Sequence, residues 1–401
     1  MVNSVVKKIV YIGYAVSENE VENASGISIA GNKMQLNMLR ELVKYTNIEI
    51  EAITIYPCAK YPIDKKLFYH KKEIELFGNF KAIQISFINI PVIKQVCQIF
   101  NVYNEINKKL KEQNEVEVFT FNMYPQVGTA LRVLKKKYKS RLKIVSMLAD
   151  LPIDTVKRRG LSKKLMDIFY NETKKNIRII DKAIVLNAFA AEKYLCNQEY
   201  IVVEGGIVGE KCKSELSKVF EYDSRERTIV YSGALVEYNG IRELLRCMEL
   251  VQTDVVLEVY GNGPLKSYVE QVANSNKKVK YMGNVTNEKM LEIQRKAYAL
   301  INPRPIEDPI SKVTFPSKIF EYLLSGTVVL STKLNGFSEE YYDKMIWFEE
   351  DNAESMAKTV DSVMRMPTFE LSEMAENARE FVISEKTWEK QGKKIYDLLV
   401  N

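Results

Sequence analysis

The chain has 401 residues, 46% of them hydrophobic and 27% charged, with a net charge of +6. That is too long for one ordinary core and describes a folded, soluble protein of two domains. No apolar run approaches the roughly 18 residues needed to span a bilayer. The single histidine, His70, argues against His-based metal or triad chemistry. Five cysteines (58, 97, 196, 212 and 247) show no C-x-x-C spacing, which points to a reducing cytoplasm and away from a disulfide frame or structural zinc. Residues 131–180 hold fifteen basic and four acidic side chains. Such a run is either a solvated face or a surface drawn to an anionic membrane or acceptor at the inner face of the cell. No nucleic-acid recognition motif accompanies it, so nucleic acid is not an expected partner.

The first half alternates strands and helices. Val5–Tyr14 reads as a buried strand and not as a signal peptide. Ser25-Gly26-Ile27 opens a glycine-bearing turn, and a helical pattern follows through Met34, Leu36, Met38, Leu39, Leu42 and Val43. Ile48–Ile55 is a second strand, and that order points to a parallel sheet with crossover helices. Gly26, Ile27 and Asn32 around the turn are candidate acceptor contacts; equally, the glycines Gly26 and Gly31 only shape the turn.

Ile83–Ile90 reads as a strand and Val92–Leu110 as an amphipathic helix, whose stripe of Ile93, Val96, Cys97, Phe100 and Tyr103 is expected in the core. Val116–Phe121 is a strand, Leu131–Tyr138 a basic helix, and Leu142–Met147 a strand running into Ala149-Asp150-Leu151-Pro152. Ligands of open α/β sheets bind outside the carboxyl ends of the strands. Asp150 is therefore a candidate acceptor-side carboxylate, the alternative being a loop or cap residue. A basic helical segment covers 153–180, and Lys182–Asn187 is the last strand of this half. Glu204-Gly205-Gly206 is a hinge candidate, and the domain boundary is placed there.

The second half repeats strand, glycine, helix. Thr228–Ser232 precedes Gly233, and a helix runs from about Gly240 to Val251. Val255–Tyr260 precedes Gly261-Asn262-Gly263-Pro264, and Lys278–Met282 precedes Gly283-Asn284. Glu288–Tyr298 is a helix and Ala299–Asn302 a strand. Glycines at successive strand ends put backbone on one sheet edge, where a nucleotide lies in doubly wound folds.

Residues 302–332 follow. Pro303, Pro305 and Pro309 keep the first part out of helix and strand. Pro316 is placed to start a helix that Gly326 stops, and Thr327–Thr332 is a buried strand. A helix start suits a phosphate, and Lys318 adds a full charge in the first turn. Ser317, Lys318 and Glu321 share one face by their spacing, so a carboxylate stands one turn inside, where it can accept from ribose hydroxyls. The alternative is an ordinary surface helix with a Lys–Glu pair. Phe381–Val400 reads as a terminal amphipathic helix.

These residues resemble the GT-B glycosyltransferases of the large retaining family 4, glycosyl transferases group 1, which includes many bacterial cell-surface polysaccharide enzymes. The likeness rests on Glu204-Gly205-Gly206-Ile207; Tyr231-Ser232-Gly233-Ala234-Leu235 with Asn239-Gly240-Ile241; Tyr260-Gly261-Asn262-Gly263-Pro264; Met282-Gly283-Asn284-Val285; Phe315-Pro316-Ser317-Lys318-Ile319-Phe320-Glu321-Tyr322 with Ser325-Gly326; and Thr387-Trp388-Glu389. The resemblance implies two Rossmann-like doubly wound α/β domains facing across a cleft: an acceptor-binding domain at 1–204, a nucleotide-sugar-binding domain at 205–380, and a helix at 381–401 crossing back to the first.

It further implies a nucleotide-sugar donor, UDP-sugar favoured, and a glycan or lipid-linked acceptor, without metal or cofactor. The absence of any Asp-x-Asp agrees with that. Glu321 would take the ribose, Thr314, Phe315, Pro316, Ser317 and Lys318 the diphosphate, and Gly283, Asn284 and Val285 the base, with Gly233, Asn239, Gly261 and Gly263 completing the donor site. Where the family has a Glu, an Arg, a Lys and a His, this chain has Val313, Ala234, Asn239 and Ala149. Arg304 and Lys318 are the cations left to stabilise the diphosphate, with Asp150 on the acceptor side. A non-catalytic GT-B subunit that binds glycan or supports an active partner is the alternative reading.

Overall fold

The computed structural model describes residues 6–153, 159–209 and 221–401. Val5, Cys212 and positions 154–158 of the basic stretch lie outside the described residues. Two compact units divide the chain: Met1–Glu204 with Trp388–Asn401, and Gly205–Thr387.

The first unit is built on an eight-stranded sheet. Its order is Glu199–Val202, Lys182–Val185, Leu142–Leu148, Val116–Phe121, Lys7–Gly13, Ile48–Thr54, Phe80–Gln84 and Lys72–Phe77. All neighbours run parallel except the last pair, a hairpin at the edge. Parallel strands are covered on both faces, which is why Val116–Phe121 is buried at every position. Counted along the chain, the seven parallel strands stand 3-2-1-4-5-6-7, so the order reverses between Lys7–Gly13 and Val116–Phe121. The single strand expected over Ile83–Ile90 is instead two pieces, Phe80–Gln84 in the main sheet and Phe87–Ile88 paired antiparallel with Phe68–Tyr69.

The helix Ile93–Glu112 turns the opposite way from the sequence expectation. Its buried residues are Lys94, Gln98, Val102, Ile106 and Leu110, an unbroken four-residue spacing. Ile93, Val96 and Phe100 of the expected core stripe are exposed, Phe100 to 61%. The apolar stripe misled because the buried face of the first two turns borders a cavity and is polar there.

The terminal segment is two helices, Thr368–Glu385 in the second unit and Trp388–Val400 in the first. Between them the Lys386 carbonyl accepts from the amide of Ile207 at 2.8 Å, and Thr387 pairs with Ile207 in an isolated bridge. Trp388–Val400 packs on Ile29–Leu42 with Tyr45 and Tyr396 stacked at 3.8 Å. Gly392 makes that approach possible: a Cβ there would lie 2.4 Å from Glu41 Cβ.

The second unit is a six-stranded, wholly parallel sheet in the order Val279–Gly283, Val256–Tyr260, Thr228–Ser232, Ala299–Asn302, Val329–Ser331 and Ile346–Trp347. By chain position this is 3-2-1-4-5-6, the order of doubly wound nucleotide folds. Its core includes Ile229, Leu244, Leu257, Val259, Ile301 and Leu330.

Replacing Gly392 with Val forces two helix backbones apart. We expect a loss of about 1–3 kcal/mol in unfolding free energy, the usual cost of overpacking, read from urea denaturation.

Candidate active site

In the second unit the strand order reverses between Thr228–Ser232 and Ala299–Asn302. A crevice opens outside the carboxyl ends of strands at such a point. The helix that closes it is Lys318–Leu324. The Tyr322 side chain is buried, and its hydroxyl accepts from the Ser232 amide at 2.9 Å and donates to the Ser232 carbonyl at 3.2 Å. Burial pushes the phenol up to about 12, so it stays neutral and can play both parts. Gln294 Nε2 completes the cluster on Ser232 Oγ at 3.2 Å. The helix is thus fixed to the end of the central strand.

The start of that helix departs from expectation. Pro309–Val313 is itself a short helix, begun by Pro309 with the Asp308 side chain accepting from the Ile310 amide. A proline at a first helical position loses nothing, which is why Pro309 begins a helix, while Pro303 and Pro305 stand in the irregular stretch before it as expected. Pro316 lies one residue before the cap, Ser317, and not inside the helix. Thr314 Oγ1 donates to the Ile310 carbonyl at 2.8 Å. The Phe315 ring is buried against Phe320 and Phe337, with centroids 4.9 and 5.4 Å away, so only its backbone is left for a ligand. Lys318 Nζ pairs with Glu321 at 2.9 Å, both side chains 41% exposed. Such a pair contributes under about 1 kcal/mol, so a diphosphate and a ribose would separate it at little cost.

A cavity of about 250 Å³ brings Gly233, Gly261, Asn284, Val285 and Lys318 together, with Asn262 and Asn287. The strand ends approach by backbone. Gly261 has φ +139°, and a Cβ there would lie 1.8 Å from the Gly233 carbonyl oxygen. The Gly261 amide donates to the Gly283 carbonyl at 2.9 Å, and a Cβ on Gly263 would lie 2.5 Å from the Leu235 oxygen.

Arg304 and Asn239 do not line this cavity; they form a second group beside it. Arg304 Nε donates to Asn239 Oδ1 at 3.0 Å, and Asn239 Nδ2 donates to the Ala234 carbonyl at 2.8 Å. Burial pulls the Arg304 guanidinium below the usual arginine range. Gly240, at φ +74°, lets the loop press on Pro303: a Cβ would lie 1.8 Å from the Pro303 oxygen. Val313 is buried.

In the first unit the reversal lies between Lys7–Gly13 and Val116–Phe121, and a cavity of about 220 Å³ opens beside their ends. Gly26, Ile27, Asn32 and Asp150 all line it. Asp150 Oδ2 accepts from Tyr124 Oη at 2.6 Å, and the Asp150 amide donates to Asn122 Oδ1 at 2.8 Å. Burial, and then the Asp150 carboxylate, hold the Tyr124 phenol well above its usual range. Asn32 spends one acceptor and one donor on the Val16 backbone, at 3.0 and 3.1 Å. Gly26 lies where a Cβ would be 2.7 Å from the Cys58 carbonyl carbon, so its glycine serves the packing of the turn.

Sequence reasoning missed Lys94, Gln98, Tyr14 and Tyr124, which also line this cavity. Tyr14 Oη and Gln126 Oε1 are buried there without a hydrogen-bond partner. The signal for Lys94 and Gln98 was their place at the head of the 94-98-102-106-110 row. Asn122 (φ +67°) and Val92 (φ +68°), two residues before Lys94, hold backbone conformations uncommon outside glycine, and such residues gather at functional sites.

Residues 226–366 match the model of the family described as glycosyl transferases group 1. The second unit is a group 1 glycosyl transferase domain. No curated protein matches the chain. Among solved structures it is similar to sucrose-phosphate synthase from Thermosynechococcus elongatus (TM-score 0.66, 13% identity, 98% of each chain covered). It is similar too to HepE of Anabaena in complex with UDP (0.64, 12%, 98% of this chain and 99% of that one). A third is the lipopolysaccharide outer core galactosyltransferase WaaB in its apo form (0.64, 13%, 98% and 100%). At these identities the likeness is one of fold, and that fold is GT-B with its two Rossmann-like domains.

Substituting Tyr322 with Phe leaves the buried Ser232 amide without its acceptor. The expected loss is about 1–3 kcal/mol in chemical denaturation, with the secondary structure unchanged by circular dichroism.

Proposed function

We propose that this glycosyltransferase moves a sugar, with retention of anomeric configuration, from a UDP-sugar to a glycan or lipid-linked acceptor in cell-surface polysaccharide synthesis. The observation that carries the donor reading is the switch-point cavity of the group 1 domain, lined by the Gly233 and Gly261 backbones, Asn284, Val285 and the Lys318 ammonium. A phosphate is best held by backbone N–H groups and a point charge, and a base by a backbone-walled slot. Lys318 takes the diphosphate in this reading and Glu321 the ribose hydroxyls. Arg304, held on Asn239, supplies the second cation, so stabilisation of the leaving diphosphate, the main catalytic term, rests on two positive side chains and no metal. Asp150 orients the acceptor hydroxyl in the first unit's cavity, the Tyr124 phenol steadying its carboxylate. The likeness to UDP-bound HepE and to WaaB supports the choice of donor base and of a surface glycan.

The reading includes peripheral contact with the inner face of an anionic membrane through residues 131–180. Part of that basic stretch is engaged within the fold: Arg132 and Lys175 with Glu172, Lys135 with Asp181, Lys143 with Glu115. The helix Gly160–Ile177, however, exposes Leu165 and Ile168 beside Lys163 and Lys164. Apolar side chains among lysines suit an interfacial helix. Among the described residues, no helix is long and apolar enough to cross a membrane.

A thermal-shift series in EDTA tests the donor site: UDP-sugars should stabilise the protein by about 2.7 kcal/mol at a hundredfold excess over Kd, and Glu321→Ala should abolish the shift. Lys318→Ala should lose transfer and donor hydrolysis together. UDP-sugar binding without any turnover would point instead to a non-catalytic subunit. Flotation with phosphatidylserine vesicles at low salt checks the membrane contact. The paired change Leu165→Ser and Ile168→Ser should leave the protein in the unbound fraction.

A further inference from the structure

The cavity of the first unit contains a charge without an ionic partner. Lys94 is buried, and its ammonium donates to the Cys58 carbonyl at 2.7 Å and to Cys58 Sγ at 3.1 Å, with the Phe87 ring centroid 5.4 Å away. None of these partners is a carboxylate. Among the described residues, no carboxylate lies within ion-pair distance of it. The anion whose ionisation its charge favours, Asp64, is already taken by Ser25 Oγ at 3.0 Å, Tyr69 Oη at 2.8 Å and the Lys66 amide at 2.9 Å. A buried ammonium without a counter-ion is costly, and long side chains normally carry such a charge out to water. Here the helix Ile93–Glu112 turns its polar head inward and leaves Val96 and Phe100 in solvent instead. The geometry therefore keeps Lys94 at the cavity wall, against the ordinary preference for burying the apolar stripe.

The rest of the wall is suited to hydroxyls. Tyr14 Oη and Gln126 Oε1 stand buried and unpartnered, one able to donate and the other to accept, and the Asp150 carboxylate has capacity beyond the Tyr124 hydrogen bond. At about 220 Å³ the cavity is smaller than sites for drug-sized ligands, which run to roughly 300–1,000 Å³. It has room for one ring and its substituents.

We propose that this cavity binds one sugar ring bearing an acidic group, a carboxylate or a phosphate, with Lys94 as the counter-ion that selects it. The proposal rests on the reading of the first unit as the acceptor side and adds the chemical class of the acceptor. Lys94 makes a charge-assisted hydrogen bond with the acid, while Asp150, Tyr14 and Gln126 meet ring hydroxyls. A neutral sugar in the same place leaves the ammonium unpaired.

The test is ligand-observed NMR titration of the protein, without donor, with glucose, glucuronate and glucose 6-phosphate. The acidic sugars should bind at least tenfold more tightly than glucose, and the advantage should shrink as salt rises from low to high. Preference for glucuronate identifies a carboxylate as the group recognised, and preference for glucose 6-phosphate a phosphate. In Lys94→Met the three should bind alike, at the glucose level. The wild-type comparison stands without the variant, should Lys94→Met not fold. Equal binding of the three by wild type overturns this proposal alone. Binding of none of them overturns it together with the acceptor reading, and the UDP-sugar thermal shift of the other unit is unaffected by either result.

Discussion

The hydroxyl of Tyr322 holds the cavity wall of the second unit in place. It ties the helix Lys318–Leu324 to Ser232 at the end of the central strand, inside a core where water cannot substitute. Tyr322 follows Glu321 directly, so the contact that buries one fixes where the other stands. Lys318 and Glu321 come out on the accessible side of a two-turn helix whose Ile319, Phe320, Tyr322 and Leu323 are buried. The loop before the helix is set by the Phe315 ring in its aromatic cluster. What looks in sequence like a motif for a ligand is half an anchor, and the ligand-facing residues owe their position to it.

The two sheets share a strand order but finish their strands differently. In the second unit the ends are Gly233, Gly261 and Gly283, and at Gly261 the backbone packs on the Gly233 backbone at a distance no side chain would allow. A surface of that kind offers fixed N–H and C=O groups, suited to a ligand that never varies, such as a nucleotide diphosphate. In the first unit the corresponding ends carry Tyr14, Asn122 and Asp150. Side chains are replaceable one at a time, which suits the partner that differs from one transferase to the next. The same strand order thus ends in a backbone-walled cavity in one unit and a side-chain-walled cavity in the other.

That contrast explains what was legible in the sequence. The strands Val116–Phe121, Thr228–Ser232 and Ala299–Asn302 lie where the sequence places them, because an apolar run between turn residues has few other uses. The Lys318–Glu321 pair follows from helical spacing alone. Gly26, Ile27, Asn32 and Asp150, drawn from distant stretches, meet in one cavity because all follow strand ends of one parallel sheet. That the Phe315 ring turns inward was not legible, since a motif gives the order of residues and not which of them is buried. Pro309 was misjudged because proline both breaks a helix and begins one, and only the Asp308 cap distinguishes the two.

The helix Ile93–Glu112 was the most instructive reversal. Periodicity finds its apolar stripe correctly, and the stripe is nonetheless outside. From Val102 onward the buried row is conventional: Val102, Ile106, Leu110. One turn and two turns earlier the same row holds Gln98 and Lys94, because there the helix borders empty space at the sheet's reversal point and no longer borders the core. An amphipathic pattern reports which residues avoid water only where the other side is protein. Where the other side is a ligand site, the pattern inverts, and a polar residue continuing an apolar row marks the change. By that criterion Lys94 is not a flaw in the helix but the point at which packing against the core ends and the cavity wall begins.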